Sequence, residues 1–184
     1  MRAAEPRGME RIEKSIEVNV PVRTAYNQWT QFESFPLFME GVQQVDQLDD
    51  RRLRWVATVA GRRKEWEAEI LEQAPDQVVS WRSVSGALNN GSVTFVPLDS
   101  DRCKVTLILT YEPEGALERA GDALGLVAMR VGEDLERFKR FIEEREVESG
   151  GWRGEIHDAR VQSRPKPAAQ DVGLPAERKY KPKF

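Results

Sequence analysis

From Ile12 the chain alternates, with Ile16, Val18 and Val20 at every second position, which is the period of a half-buried strand; Pro21 ends it. Val22, Ala25, Tyr26 and Trp29 then follow at helical spacing and predict a helix over 22–31. Phe32 to Gly41 is dense in aromatics but interrupted by Pro36, which predicts a second, short helical turn. Strands follow up to Pro113: 42–48, then Leu53 to Val59, then Trp66, Ala68 and Ile70, then 78–84, then Val93 to Pro97, and lastly Val105 to Tyr111. Asp49-Asp50, Gly61, Pro75-Asp76, the stretch 86–91 with Asn89-Asn90-Gly91, and Asp99 to Asp101 read as the turns between them. Short, evenly spaced strands with one polar side predict a single antiparallel sheet with one solvated face.

The period then switches. Leu124, Val127, Ala128, Val131, Leu135, Phe138 and Ile142 advance in steps of three and four, with charges between them, and predict one long amphipathic helix. After Ser149-Gly150-Gly151 the pattern stops, and Pro165, Pro167, Pro175 and Pro182 stand among charges. Three regions result: a flexible N-terminus over 1–11, one domain over 12–148, and a flexible basic tail over 149–184 that does not pack.

This order of elements is α+β: about seven curved antiparallel strands, two short helices after the first strand, and one long terminal helix. A twisted sheet of that width exceeds a helix of roughly 10–12 Å diameter. Either the sheet curls round the helix into a solid core, or a space remains between them. Gly125, Ala128 and Gly132 lie on or beside the helix face that meets the sheet, where small side chains either leave room or allow tight packing.

Composition narrows the function classes. Hydrophobic residues make up 40% and charged ones 32% of 184 residues, which suits a folded core. No uncharged stretch near either end approaches the roughly 20 apolar residues of a membrane span, and no secretory leader is visible. A lone cysteine, Cys103, precludes an internal disulfide and points to a reducing cytoplasm. The net charge is −3, divided into +4 on 149–184 and −7 on the rest. An acidic body argues against nucleic-acid binding. With one cysteine and one histidine, His157, placed in the tail, the chain offers no metal-ligand set, no Cys–His or Ser–His pair, and no evident cofactor site. It also lacks a phosphate loop and a nucleophile elbow.

The order of elements, the segment from Trp81 to Phe95 (Trp-Arg-Ser-Val-Ser-Gly-Ala-Leu-Asn-Asn-Gly-Ser-Val-Thr-Phe), and the strand Val105 to Pro113 leading into a long final helix carry a resemblance. Residues 12–145 resemble the polyketide cyclase/dehydrase and coenzyme Q-binding branch of the START-like (SRPBCC) superfamily. The resemblance implies a helix-grip fold with a deep apolar cavity between sheet and final helix, its mouth near the short helices. Function does not follow from fold, since the superfamily holds carriers, hormone-binding proteins and cyclases.

On that expectation the cavity is lined by Trp29, Phe35, Phe38, Met39, Trp55, Trp66, Trp81, Phe95, Leu107, Leu124, Val127, Ala128 and Val131. An indole N–H needs a partner when buried, which a cavity wall supplies more readily than a solid core; ordinary core packing is the plain alternative. The apolar loop Phe35 to Met39 suits the cavity rim, a membrane surface, or burial against the helix. Tyr26, Arg82 and Tyr111 are the weak candidates for proton transfer, with Arg82 expected to point outward among Glu65, Glu67 and Glu69. Arg54, Arg62, Arg63 and Lys64 read as a solvated hairpin. Three functions remain open: binding or carriage of a lipid, isoprenoid quinone or polyketide; a polyketide aromatase/cyclase or dehydratase; and an interaction module working through the tail, whose Arg178 to Phe184 end suits an acidic partner or an anionic membrane.

Overall fold

The computed structural model describes residues 8–59, 61–113 and 121–165. Strand β1 (Glu10–Val18) opens the fold, beginning two residues before the expected boundary. Helix α1 (Val22–Trp29) and a 3-10 helix (Phe32–Leu37) follow. Six strands come next: β2 (Val42–Gln47), β3 (Arg52–Val59), β4 (Arg62–Ala74), β5 (Val78–Gly86), β6 (Asn89–Pro97) and β7 (Cys103–Tyr111). The long helix α2 spans Gly121–Arg145, and two short strands follow, β8 (Glu155–His157) and β9 (Arg160–Ser163).

The main sheet runs β1-β7-β6-β5-β4-β3-β2, antiparallel throughout. The first strand closes onto the last of the run, with Ile16 opposite Val105. Among the described residues the sheet has nine strands rather than about seven, because β8 pairs with β4 and β9 pairs with β8. Both extra strands come from the segment expected to be an unpacked tail. Two bulges interrupt the β4–β5 register, at Glu67/Ala68 and Ile70/Glu72. A bulge bends its strand and breaks the strict alternation of faces, so Ala68, Glu69 and Ile70 are all buried. Glu69 is thereby withdrawn from the solvated acidic row expected of it and accepts hydrogen bonds from Arg51 and Arg82, each at 3.1 Å.

The segment after α2 packs because it has apolar and hydrogen-bonding anchors that composition hides. Ile156 is fully buried, and Trp152 packs against the core. Arg153 holds both carboxylate oxygens of Asp76, at 2.9 and 2.8 Å, and donates to Asn27 at 2.8 Å. Gln28 and the Ser149 backbone N–H meet at 2.9 Å, and the Trp152 N–H donates to Thr30 at 2.9 Å. Residues 149–164 therefore strap across α1 and join the sheet through Gln73, opposite Ile156. The rest of the expected tail, residues 166–184, lies outside the described residues, as do 1–7.

The stretch 86–91 also differs from a plain turn. Only Gly86 takes a positive φ, 77°, and β6 already begins at Asn89. Gly91 is required for close approach: a Cβ there would stand 2.6 Å from the Trp81 ring and 2.6 Å from the Ile108 carbonyl oxygen. The two asparagines act through their side chains, Asn89 accepting the Trp81 indole N–H at 3.1 Å and Asn90 the Ser83 backbone N–H at 2.9 Å.

The core divides along α2. Its second half carries Leu135, Phe138, Phe141 and Ile142 into an aromatic cluster with Trp29, Phe35 and Phe38. Phe138 lies 5.1 Å from Trp29 and 5.2 Å from Phe38, both edge-on, the preferred geometry for aromatic pairs. This cluster fills one end of the curved sheet.

Candidate functional site

Among the described residues, no such aromatic cluster lies between the first half of α2 and the sheet. Between its residues 126–134 and the sheet lies a cavity of about 640 Å³, within the roughly 300–1,000 Å³ range of small-molecule sites. The sheet wall is built from inward positions of neighbouring strands: Leu53, Trp55 and Ala57 of β3, Trp66 and Ile70 of β4, Val79 and Trp81 of β5, and Leu107, Leu109 and Tyr111 of β7. Val127, Val131 and Asp134 close it from α2, and Trp29, Phe32, Phe35 and Met39 from the short helices. Its exposed members, Glu40, Thr58, Gly61, Glu112, Leu126, Met129 and Arg130, mark a mouth between the β3–β4 hairpin and the early turns of α2.

Of the residues expected to line a cavity, nine do: Trp29, Phe35, Met39, Trp55, Trp66, Trp81, Leu107, Val127 and Val131. Phe38 instead packs on Phe138 and Phe141, and Phe95 lies edge-on to Tyr26 and Trp29. Leu124 packs against the core but is not on the cavity wall. Ala128 and Gly132 face a shallow groove with Lys14 and Ile16 of β1, so the small side chains serve contact with the sheet edge rather than cavity space. Gly125 has open space around its Cα.

The three proton-transfer candidates separate. Tyr111 lies on the wall. Arg82 points outward, as the alternation required, and pairs with Glu69. Tyr26 sits away from the cavity under the strap, its ring 5.6 Å from the Arg153 guanidinium carbon. Burial pushes its hydroxyl up to about 12, against the opposing effects of Gln73 and Arg153, so it stays protonated at any ordinary pH. His157 is not free in a tail: its Nδ1 is 2.5 Å from a Glu72 carboxylate oxygen, on the outside of the fold. Cys103 is buried, and desolvation raises its thiol to about 11, which removes it as a nucleophile. Among the described residues no group of three His, Cys, Asp or Glu could hold a metal ion.

Two buried charges line the cavity that residue-by-residue reading passed over. Lys64 is 8% exposed and Asp134 is 9% exposed. Lys64 lies two residues from Trp66 on the same inward face of β4, so strict alternation places it indoors; the neighbouring Arg62 and Arg63 pulled it into the solvated-hairpin reading. Asp134 accepts from the Glu40 backbone N–H at 3.1 Å and from Arg137 at 2.6 Å, which also donates to the Phe38 carbonyl at 3.3 Å. Arg130 holds Glu40 at 3.0 Å. This latch ties the loop after the 3-10 helix to α2. Desolvation raises the Asp134 carboxyl above its ordinary value, with Arg137 and the Glu40 N–H opposing.

A family model described as polyketide cyclase/dehydrase and lipid transport matches residues 18–140. The chain belongs to that family. Within the family it is 53% identical over 149 residues to an uncharacterised 17.2 kDa protein of Streptomyces lincolnensis encoded between melC2 and rnhH, spanning 80% of this chain and 99% of that protein. Among solved structures, the Zhui aromatase/cyclase of Streptomyces sp. R1128 superposes with a TM-score of 0.65 at 17% identity, over 78% of this chain and 99% of that one. DR_A0006 of Deinococcus radiodurans gives 0.58 at 27% identity, over 73% and 98%. A START superfamily protein of Mycobacterium smegmatis gives 0.57 at 18% identity, over 73% and 95%. The helix-grip fold of this family member is thus the START-like one, and among the described residues no helix is long and apolar enough to cross a membrane.

Proposed function

We propose that this family member binds, and carries, an apolar small molecule such as a lipid, isoprenoid quinone or polyketide in the cavity beneath the first half of α2. The single observation that carries the reading is an apolar space of about 640 Å³ with a mouth, walled by four tryptophans. Burying ligand surface there yields roughly 25 cal/mol per Å² of apolar area, and a few polar groups set orientation. A cytoplasmic setting accords with the single buried thiol, Cys103.

The test is binding of N-phenyl-1-naphthylamine, a neutral fluorophore that brightens in apolar sites and accepts energy from tryptophan. Saturable binding with quenching of tryptophan emission is expected, together with its loss in Val127→Trp, which fills the space from α2. No binding, or equal binding by the filled variant, would overturn the reading.

Cyclase or dehydratase chemistry on a poly-β-keto chain is a second reading, favoured by the wall positions of Tyr111, Lys64 and Asp134, which bring proton-carrying groups to one apolar space. It excludes Tyr26 and Arg82, which lie elsewhere. Its measure is product formation by the protein with a poly-β-keto thioester, abolished in Tyr111→Phe. The interaction-module reading rests on the basic tail 149–184, of which residues 166–184 lie outside the described residues.

A further inference from the structure

Asn89, the first residue of β6, stands opposite Tyr111 of β7, and Gly91 stands opposite Leu109, so both β6 residues share the inward face of the cavity wall. The register partner of Gly91 on the other side is Trp81. A Cβ on Gly91 would stand 2.6 Å from the Trp81 ring, so the indole lies across β6 only because a glycine is there. Its Nε1 thereby reaches Asn89 Oδ1 at 3.1 Å. An indole nitrogen only donates, so the amide must turn its oxygen to Trp81 and its nitrogen, with two N–H donors, the other way. The backbone of Asn89 is held too, its N–H donating to Ser83 Oγ at 3.2 Å.

Trp81, Asn89, Ala87 and Leu88 all line the space, and Trp66 joins Trp81 and Ala87 in one apolar cluster. Lys64 and Tyr111 are each engaged with other groups. The charged members of the described lining are Glu40, Glu112 and Asp134 against Lys64 and Arg130, which leaves no excess of positive charge to draw in an anion. A neutral amide donor in such a wall matches a neutral oxygen acceptor, and one such group sets the orientation of an otherwise apolar ligand. We infer that Asn89, aimed by Trp81, is the polar recognition point of the cavity. The ligand class is a neutral apolar carbonyl compound, its oxygen accepting from the Asn89 amide and its body packed on Trp81 and Trp66. This rests on the cavity-binding reading above.

The experiment is displacement of N-phenyl-1-naphthylamine from the full-length protein by 2-acetonaphthone, 2-ethylnaphthalene and 2-naphthoate near neutral pH. The first two share one shape and differ in a carbonyl replaced by a methylene; the third carries a charged carboxylate. Asn89→Leu, which keeps the side chain's size but not its donors, should weaken the ketone relative to the hydrocarbon by roughly 2- to 10-fold, as loss of one neutral hydrogen bond does. Asn89→Asp keeps an acceptor for the indole and should lower the same ratio, so the test survives misfolding of Asn89→Leu. Trp81→Phe, which frees the amide to turn, should lower it as well, and Lys104→Met, on the outward side of β7, should leave it intact. In the unmodified protein the infrared carbonyl stretch of bound 2-acetonaphthone should lie below its position in hexane, and naphthoate should displace the dye less effectively than the ketone. A ratio unchanged by the Asn89 substitutions overturns the inference, and so does an unshifted stretch, whatever the variants do. A ratio unchanged in Trp81→Phe overturns the aiming role of the indole, and stronger displacement by naphthoate overturns the neutral class. In each of these cases dye binding persists and the cavity reading stands. Absence of dye binding removes both together.

Discussion

The indole rings of Trp55 and Trp66 lie parallel, 2° apart with centroids 5.8 Å apart, across the β3–β4 pair. The pairing register puts the two residues directly opposite each other, and both side chains turn into the cavity wall. Neither indole N–H reaches an acceptor among the described residues. The pair is thus held by ring contact and by Phe35, which meets Trp55 edge-on at 5.5 Å. Truncating Trp66 to alanine should cost about 3 kcal/mol, the lower end for a buried tryptophan, because one side of its ring already borders empty space. Urea unfolding measures this, and a loss below about 1 kcal/mol would show that the stack does not support the sheet.

Arg153 and Asp76 decide where the domain ends. The bidentate pair, with Ile156 buried beside it, makes the strap part of the fold. A chain ending at Glu148 should lose at least about 2 kcal/mol, from the burial of Ile156 and Trp152 alone. A chain ending at Pro165, which keeps the strap, should unfold at a higher temperature than the one ending at Glu148. Equal stability of the two truncated chains would show that the strap contributes nothing.

His157 makes the strap respond to pH. Its hydrogen bond with Glu72, supported by Glu155, raises its pKa above the ordinary 6.5. The folded state therefore holds the proton more tightly than the unfolded one. The contribution is fully present below the unfolded value and is lost as pH rises through the folded one. The stability difference between the wild type and His157→Ala should shrink on going from mildly acidic to alkaline solution. A difference independent of pH would place the histidine outside this linkage.

Asp134 works with the same sign, in the carboxylate range. Desolvation raises its carboxyl above 3.8, so the unfolded chain releases this proton first. Stability attributable to Asp134 falls as pH rises from its unfolded value through its folded one, and stays flat beyond. Relative to Asp134→Asn, whose amide oxygen still accepts the Glu40 N–H, the wild type should lose stability across that acidic window. A rising difference there would mean that Arg137 outweighs burial.

Much of this was legible in the residues, because period and chemistry agree where strands and helices are regular. The alternation of Leu53, Trp55 and Ala57 and the three-and-four spacing of Val127, Val131 and Leu135 reflect one buried face each, which any packing partner must respect. Lys64 obeys the same alternation and was obscured only by its charged neighbours. Glu69 breaks it, because bulges in β4 arise from pairing with β5 and leave no local signature. The strap is illegible for a related reason: Gly150, Gly151 and a scatter of charges look unpacked until Asn27, Gln28, Thr30 and Asp76 supply partners from more than 75 positions away.

The sequence by itself determined the α+β class, the order of elements, the apolar face of the sheet and the tryptophan-rich composition of its wall. These follow from short-range periodicity, which is a property of neighbouring residues. Only the tertiary structure decided which half of α2 is filled and which is hollow. That choice depends on where Trp29, Phe35 and Phe38 meet Phe138 in space. Once that cluster closes one end of the curved sheet, side chains as small as Val127 and Val131 leave the other end open, with Lys64 inside it.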